Sequence, residues 1–294
     1  MAPEVDVEGR TLRLSNLDKV LYPEVGFTKG QVIDYYTRVA PTVLPHLRGR
    51  ALTLKRYPNG VEQSHFYEKQ KPSHAPDWVR SETIPTGDRD IDFVLCDDLA
   101  TLVWLANLAD LELHPSLALA DEPDTPTVLA FDLDPGPPAG LDECREVALI
   151  LRDTFADLGL ECFAKSSGSK GMQVYVPLDG AVTYAETKPF AQALARLLEQ
   201  RHSESIVSRM RKELRRGKVL IDWSQNDRHK TTVAPYSLRA RERPTVSTPV
   251  SWEEVADGDA DLVFEAGALL ERIEAVGDLF APVLELEQEL PQLG

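Results

Sequence analysis

Residues 128–137 read VLAFDLDPGP, and the placement of their two acids decides how the chain is read. Side chains alternate across a strand, so Leu129, Phe131 and Leu133 share one face while Ala130, Asp132 and Asp134 share the other. The apolar set belongs against a core, which leaves both carboxylates on the opposite face. Pro135 and Pro137 then end the strand and turn the chain away. Alone, such a pair is often a solvated strand end or a helix cap. The flanking sequence has to discriminate.

Outward from this stretch the pattern is β-α-β-β-α-β. The strand TVLAFDLD is followed by an amphipathic helix, LDECREVALILRDTFADLG, closed by Gly159. A strand ECFAKSS, a turn GSKG and a returning strand MQVYVPL come next. TYAETKPFAQALARLLEQR is a second helix, its start delayed by Pro189, and KVLIDWS is the last strand. This is the split βαβ plan, with strands ordered 4-1-3-2 and helices on one face.

In that order strand four lies beside strand one. Val219, Ile221 and Trp223 form its apolar set, so Asp222 joins Asp132 and Asp134 on the open face, where the third strand also places Gln173 and Tyr175. Three carboxylates on one surface repel one another unless cations lie between them. Hard divalent ions on oxygen ligands answer that need, and two ions ~4 Å apart are the apparatus of phosphoryl and nucleotidyl transfer. The segment SSGSKG, residues 166–171, is a tight turn whose amides and Lys170 suit phosphates. It leads into a strand and not a helix, so it is not a Walker loop; a hairpin turn with a solvated lysine is its plainer reading.

The N-terminal third opens with a strand-like piece from Val5 to Leu14. Thr28 with Gln31 makes a capping box for a helix that Pro41 ends. A second helix is expected over Asp98–Leu113 and closed by His114-Pro115, which makes His114 a C-terminal capping histidine. DEPDTP, residues 121–126, reads as a boundary loop.

With 294 residues, 43% hydrophobic and 27% charged, the chain has enough material for a substantial core. No run approaches the ~20 apolar residues a membrane span needs, and MAPEVDVEGR lacks the apolar stretch of a secretory signal. Cys96, Cys144 and Cys162 are scattered, which suits reduced core residues of a cytoplasmic protein better than a zinc site. The net charge of −16 is unevenly spread. From Trp252 onward twelve acids face Arg272 alone, whereas Arg201–Arg243 holds twelve Lys/Arg against five Asp/Glu. Within the latter, RMRKELRRGK reads equally as a solvated face or as a track for a nucleic-acid backbone.

AFDLDPG, SSGSKG and IDWSQN together resemble the polymerase (primase-polymerase) domain of bacterial DNA ligase D, in the archaeo-eukaryotic primase superfamily. LSNLDKVLYP, FTKGQVIDYY, KRYPNG, FYEKQ, ELHP and KTTVAPYSLRAR extend the resemblance over most of residues 10–250. The expected fold class is α/β (α+β) and primase-like, with an RNA-recognition-like catalytic sheet. The expected division is an N-terminal α/β module over 1–125, a catalytic module over 126–250 and an acidic segment over 251–294. The resemblance implies that Asp132, Asp134 and Asp222 are the catalytic carboxylates and hold two Mn2+ or Mg2+ ions. It puts Lys55, His114, Ser167, Lys170, Gln225, Arg239 and Arg241 at the nucleotide, and Asn16, Lys19 and Lys29 at a DNA 5′-phosphate. Lys29 would lie in the first turn of the helix capped by Thr28, where anion binding has its own physical basis. Phe66 and Tyr67 fall where two phenylalanines stack on template bases; the tyrosine departs from that pattern but keeps a stacking face.

The implied activity is template-dependent nucleotide addition, ribonucleotides preferred, at short gaps or double-strand-break ends during repair by non-homologous end joining. Implied partners are 5′-phosphorylated gapped or broken DNA, NTP or dNTP, a DNA ligase and Ku, in the cytoplasm near the nucleoid and away from membranes. De novo priming and a non-catalytic DNA-end scaffold are the alternatives. With no KxDG adenylation motif, the chain reads as either an excised domain or, favoured by the acidic tail, a stand-alone paralogue.

Overall fold

A computed structural model describes residues 3–291. It divides into two compact units. One gathers the chain up to Ser116 with Thr231–Ser247 and Phe264–Gly277; the other gathers Leu117–Lys230, Thr248–Val263 and the chain from Asp278 on.

The first unit opens with a hairpin of β1 (Glu4–Val7) and β2 (Arg10–Arg13), then the short pair β3 (Val20–Tyr22) and β4 (Phe27–Thr28). Helix α1 spans Lys29–Leu47, with the Thr28–Gln31 capping box in place. It does not stop at Pro41 but runs through Pro41 and Pro45. Each proline removes a backbone donor, but Val39, Val43 and Leu47 around them are buried, and that packing outweighs the local cost.

The sheet of this unit runs β6 (Phe66–Glu68), β5 (Ala51–Arg56), β8 (Asp90–Leu95), β7 (Ser81–Pro85), with β9 (Asp110–Pro115) also paired to β5. Helix α2 covers only Leu99–Asn107, capped by Asp98, whose Oδ1 accepts from the Thr101 amide at 2.8 Å. The expected continuation to Leu113 is instead a turn at Ala109, with φ 58°, and then β9. LADLELHP satisfies both periodicities, but Asp110, Glu112 and His114 alternate with Leu111 and Leu113, and pairing with β5 selects the strand. His114 is therefore a strand residue and caps no helix.

In the second unit β10 spans Val128–Pro135, α3 Leu141–Asp157, β11 Phe163–Ser166, β12 Met172–Pro177, α4 Tyr184–Arg201, β13 Ile206–Val207 and β14 Val219–Asp222. The sheet order β13-β14-β10-β12-β11, closed by Pro249–Val250, contains the expected 4-1-3-2. Leu129, Phe131, Leu133, Val219 and Ile221 are buried in one cluster with residues of α3 and α4. Strand β14 ends at Asp222, so Trp223 lies in a following turn, where its indole donates to the Ser208 carbonyl at 2.9 Å. Helix α4 starts at Tyr184 on its Thr183–Glu186 capping box; Pro189 does not delay it.

The described residues beyond 251 divide between the two units. Phe264–Glu265 pairs with Thr245–Val246 in the first unit. In the second, Phe280 packs edge-on against Tyr175 at 5.3 Å, and Gln288 donates to the carbonyls of Glu161 and Pro177. Buried Leu262, Leu269, Phe280 and Val283 between the acids explain why this segment folds with the rest. The boundary between the units falls at Ser116, before the expected loop.

Candidate active site

In the second unit, antiparallel pairing sets Asp132 opposite Asp222 on one side and opposite Gln173 on the other. Lys165 on β11 pairs in turn with Gln173, so one transverse row reads Asp222, Asp132, Gln173, Lys165. Gln173 Nε2 donates to Asp132 Oδ1 at 2.9 Å, and the Tyr175 hydroxyl donates to Gln173 Oε1 at 3.4 Å. Asp134, two residues along β10 and exposed, is held by Arg215 at 2.8 Å. Asp222 accepts from the Ser224 amide and hydroxyl and from Gln225 Nε2 at 2.9 Å, so Gln225 is tied to a carboxylate. Burial raises the Asp132 carboxyl above its usual range against the Gln173 hydrogen bond, and the charges of Asp222 and Asp134 add to the rise.

Like charges facing each other across a strand pair are destabilising. A hard divalent cation relieves that arrangement, and an all-carboxylate donor set suits magnesium or manganese. Among the described residues no three His, Cys, Asp or Glu side chains already enclose a metal position; each of the three carboxylates is engaged by a neighbouring donor. The donor chemistry fits the ion. Each carboxylate keeps acceptor positions for an ion beyond these hydrogen bonds.

The SSGSKG turn lies against the same strand. An added Cβ at Gly171 would stand 2.1 Å from the Leu133 carbonyl oxygen, so only glycine allows this approach. The Ser167 amide donates to the Gly171 carbonyl and the Gly171 amide to Ser167 Oγ, while Lys170 is exposed at the tip.

The first unit gathers a different set. Lys55 on β5 stands opposite Glu112 on β9, and Thr53 opposite His114. Glu112 Oε2 accepts from Lys55 Nζ at 3.1 Å and His114 Nε2 at 3.0 Å, and pairs with Arg239 Nε at 3.6 Å. Its Oε1 accepts from the Ala240 amide at 3.0 Å. Burial would raise the Glu112 carboxyl, but the His114 hydrogen bond and the nearby positive charges hold it well below the usual range. His114 is lowered, chiefly by burial. Arg241, two residues on, is exposed and outside this cluster. Glu112 was not among the residues singled out by sequence; the alternation of Asp110, Glu112 and His114 between leucines was the available signal.

Lys55 also lies under two rings, 5.4 Å from Tyr57 and 5.5 Å from Tyr67. Phe66 and Tyr67 are both exposed, 56% and 64% respectively. Successive strand residues face opposite ways: Tyr67 pairs with Lys55, and Phe66 pairs with Arg56. Lys19 and Lys29 come together in this unit. The Lys29 amide donates to the Lys19 carbonyl, Lys29 Nζ to Ser15 Oγ at 3.2 Å, and Lys19 Nζ to Asn59 Oδ1 at 2.9 Å. Asn16, with φ 53°, opens the turn that carries Lys19. Burial and the charge of Lys19 lower the Lys29 ammonium to about 8.

A family model described as "LigD, primase-polymerase domain" matches residues 28–280. The chain belongs to this family. It is 42% identical over 275 residues to the multifunctional non-homologous end joining protein LigD of Mycolicibacterium smegmatis, covering 92% of this chain and 36% of that protein. Its identity with the bifunctional LigD of Bacillus subtilis is 32%, covering 95% of this chain and 45% of that protein. The chain thus spans between a third and a half of these curated relatives. The polymerase domain of Mycobacterium tuberculosis ligase D, solved in complex with DNA, superposes with a TM-score of 0.89 at 39% identity, covering 94% of this chain and 99% of that one. The family is one of metal-dependent nucleotidyltransferases, and the primase-like α/β fold agrees with the expectation from sequence. Among the described residues no helix is long and apolar enough to cross a membrane.

Proposed function

We propose that this chain is a template-dependent nucleotidyltransferase that fills short gaps and extends break ends in DNA repair, with ribonucleotides preferred and manganese as the favoured ion. The observation that carries this reading is the register pairing of Asp132 with Asp222, with Asp134 next along the same strand. Asp132 and Asp134 would hold both ions and Asp222 the one at the reacting 3′-hydroxyl. When bound, such ions supply charge neutralisation for the attacking oxygen and the departing pyrophosphate.

The chain's own residues supply the rest. Gln173 and Gln225 orient Asp132 and Asp222 through hydrogen bonds of 2.9 Å each. Ser167 and Lys170 in the glycine turn take triphosphate oxygens. Lys55, His114, Arg239 and Arg241 take the nucleotide's sugar and phosphates. Tyr67 and Phe66 offer exposed rings to unpaired template bases. Asn16, Lys19 and Lys29 take the downstream 5′-phosphate, and a ligase and Ku are the partners such a product requires.

The test is single-nucleotide incorporation on a gapped duplex, with manganese or magnesium, NTP or dNTP, and a 5′-phosphate or 5′-hydroxyl downstream. Manganese-dependent addition that favours NTP and the phosphorylated gap is expected. No incorporation on any of these substrates would defeat the proposal.

A further inference from the structure

Glu112 lies at the centre of the first unit's charged cluster, with its side chain 1% exposed. A buried carboxylate is costly unless donors satisfy it. Three donors satisfy this one, Lys55 and His114 on Oε2 and the Ala240 amide on Oε1, and the Arg239 guanidinium adds a positive charge 3.6 Å from Oε2. The amide anchors it to the backbone, and its place opposite Lys55 in the register fixes it to the sheet. One negative charge answers two permanent positive ones, so the cluster keeps an excess that favours an anion.

The tautomer of His114 follows from the same geometry. An ionised carboxylate only accepts, so at 3.0 Å Nε2 must carry the proton. In the neutral ring Nδ1 is then a bare acceptor, and among the described residues it makes no hydrogen bond. A hydroxyl can donate to it. A ribose 2′-hydroxyl is such a group, and a deoxyribose has none there.

We propose that Glu112 is the positioning residue of the nucleotide pocket: it holds Lys55, His114 and Arg239 as one array and fixes His114 as the Nε2–H tautomer, whose Nδ1 accepts the ribose hydroxyl. This rests on the reading that these three residues meet the nucleotide. It adds the group that makes them act together and links that group to sugar choice.

The test uses the full chain with Glu112→Gln, which keeps the shape and removes the charge. Single-turnover gap filling is compared for ATP and dATP, alongside the melting temperature and the long-range 15N–1H spectrum of the His114 ring, assigned with His114→Asn. Loss of one good hydrogen bond is worth about tenfold. The ATP kcat/KM should therefore fall by about that factor and the dATP value by much less, so their ratio moves towards one. The wild-type ring should be Nε2–H, and the variant should lose that preference. Equal losses for both nucleotides, or an unchanged ratio, would reduce Glu112 to a structural role and overturn the proposal. If Glu112→Gln fails to fold, the wild-type spectrum decides, and an Nδ1–H ring overturns it. If the wild type incorporates neither nucleotide, the functional reading fails, while the spectrum still judges whether Glu112 sets the ring.

Discussion

The two units handle buried charge in opposite ways. In the second, Asp132 and Asp222 face each other in register and borrow neutral donors, Gln173, Ser224 and Gln225. In the first, a single carboxylate, Glu112, collects Lys55, His114 and Arg239. One arrangement is short of positive charge and the other has it in excess. The folded chain gains nothing from facing two carboxylates, so that row is a demand for cations from outside. In the Glu112 cluster the carboxylate itself is satisfied, and what is left over is positive charge.

This contrast can be broken by substitution. Asp132→Asn relieves a like-charge pair, so it should leave the melting temperature unchanged or raised while cutting nucleotide addition more than about a hundredfold. Loss of stability instead would mean that Asp132 is structural. Glu112→Ala should do the reverse to stability, costing about 3 kcal/mol because it strands buried cations, as denaturant titration would report.

The acid limb sharpens the same contrast. The Glu112 carboxyl titrates lower folded than unfolded, so its stabilisation is present above the ordinary carboxylate pKa and is lost as pH falls through the folded value. The stability gap between wild type and Glu112→Gln should therefore narrow below about pH 4; a gap that widens there contradicts the assignment. A smaller effect belongs to the lysine pair. With Lys29 lowered to about 8, it is charged at neutral pH and increasingly neutral above that value. The preference for a 5′-phosphate over a 5′-hydroxyl should fall by up to about tenfold as pH rises from 7 to 9, measured by fluorescence anisotropy. Lys29→Arg should flatten that profile.

The carboxylate row was readable because strand alternation and the split βαβ order are both written in period-two patterns, and Phe131 and Ile221 mark the core side without ambiguity. The neighbouring unit was harder to read. LADLELHP fits a helix and a strand equally, and only its pairing with β5, distant in sequence, decides between them. That ambiguity put His114 on a helix end and hid Glu112, an acid that looks solvated among leucines. Pro41 misled for a related reason, since local cost is visible in sequence and the burial that offsets it is not. The acidic C-terminal residues drew attention to their charge, while the apolar residues that dock them in both units were the structural signal.

The most direct test of the account is manganese-dependent extension on a 5′-phosphorylated gapped duplex by wild type and Asp222→Ala, with DNA binding measured on the same preparations. The account predicts extension by the wild type, none detectable by the variant, and DNA affinity equal within about twofold. Extension by Asp222→Ala at the wild-type rate would contradict it.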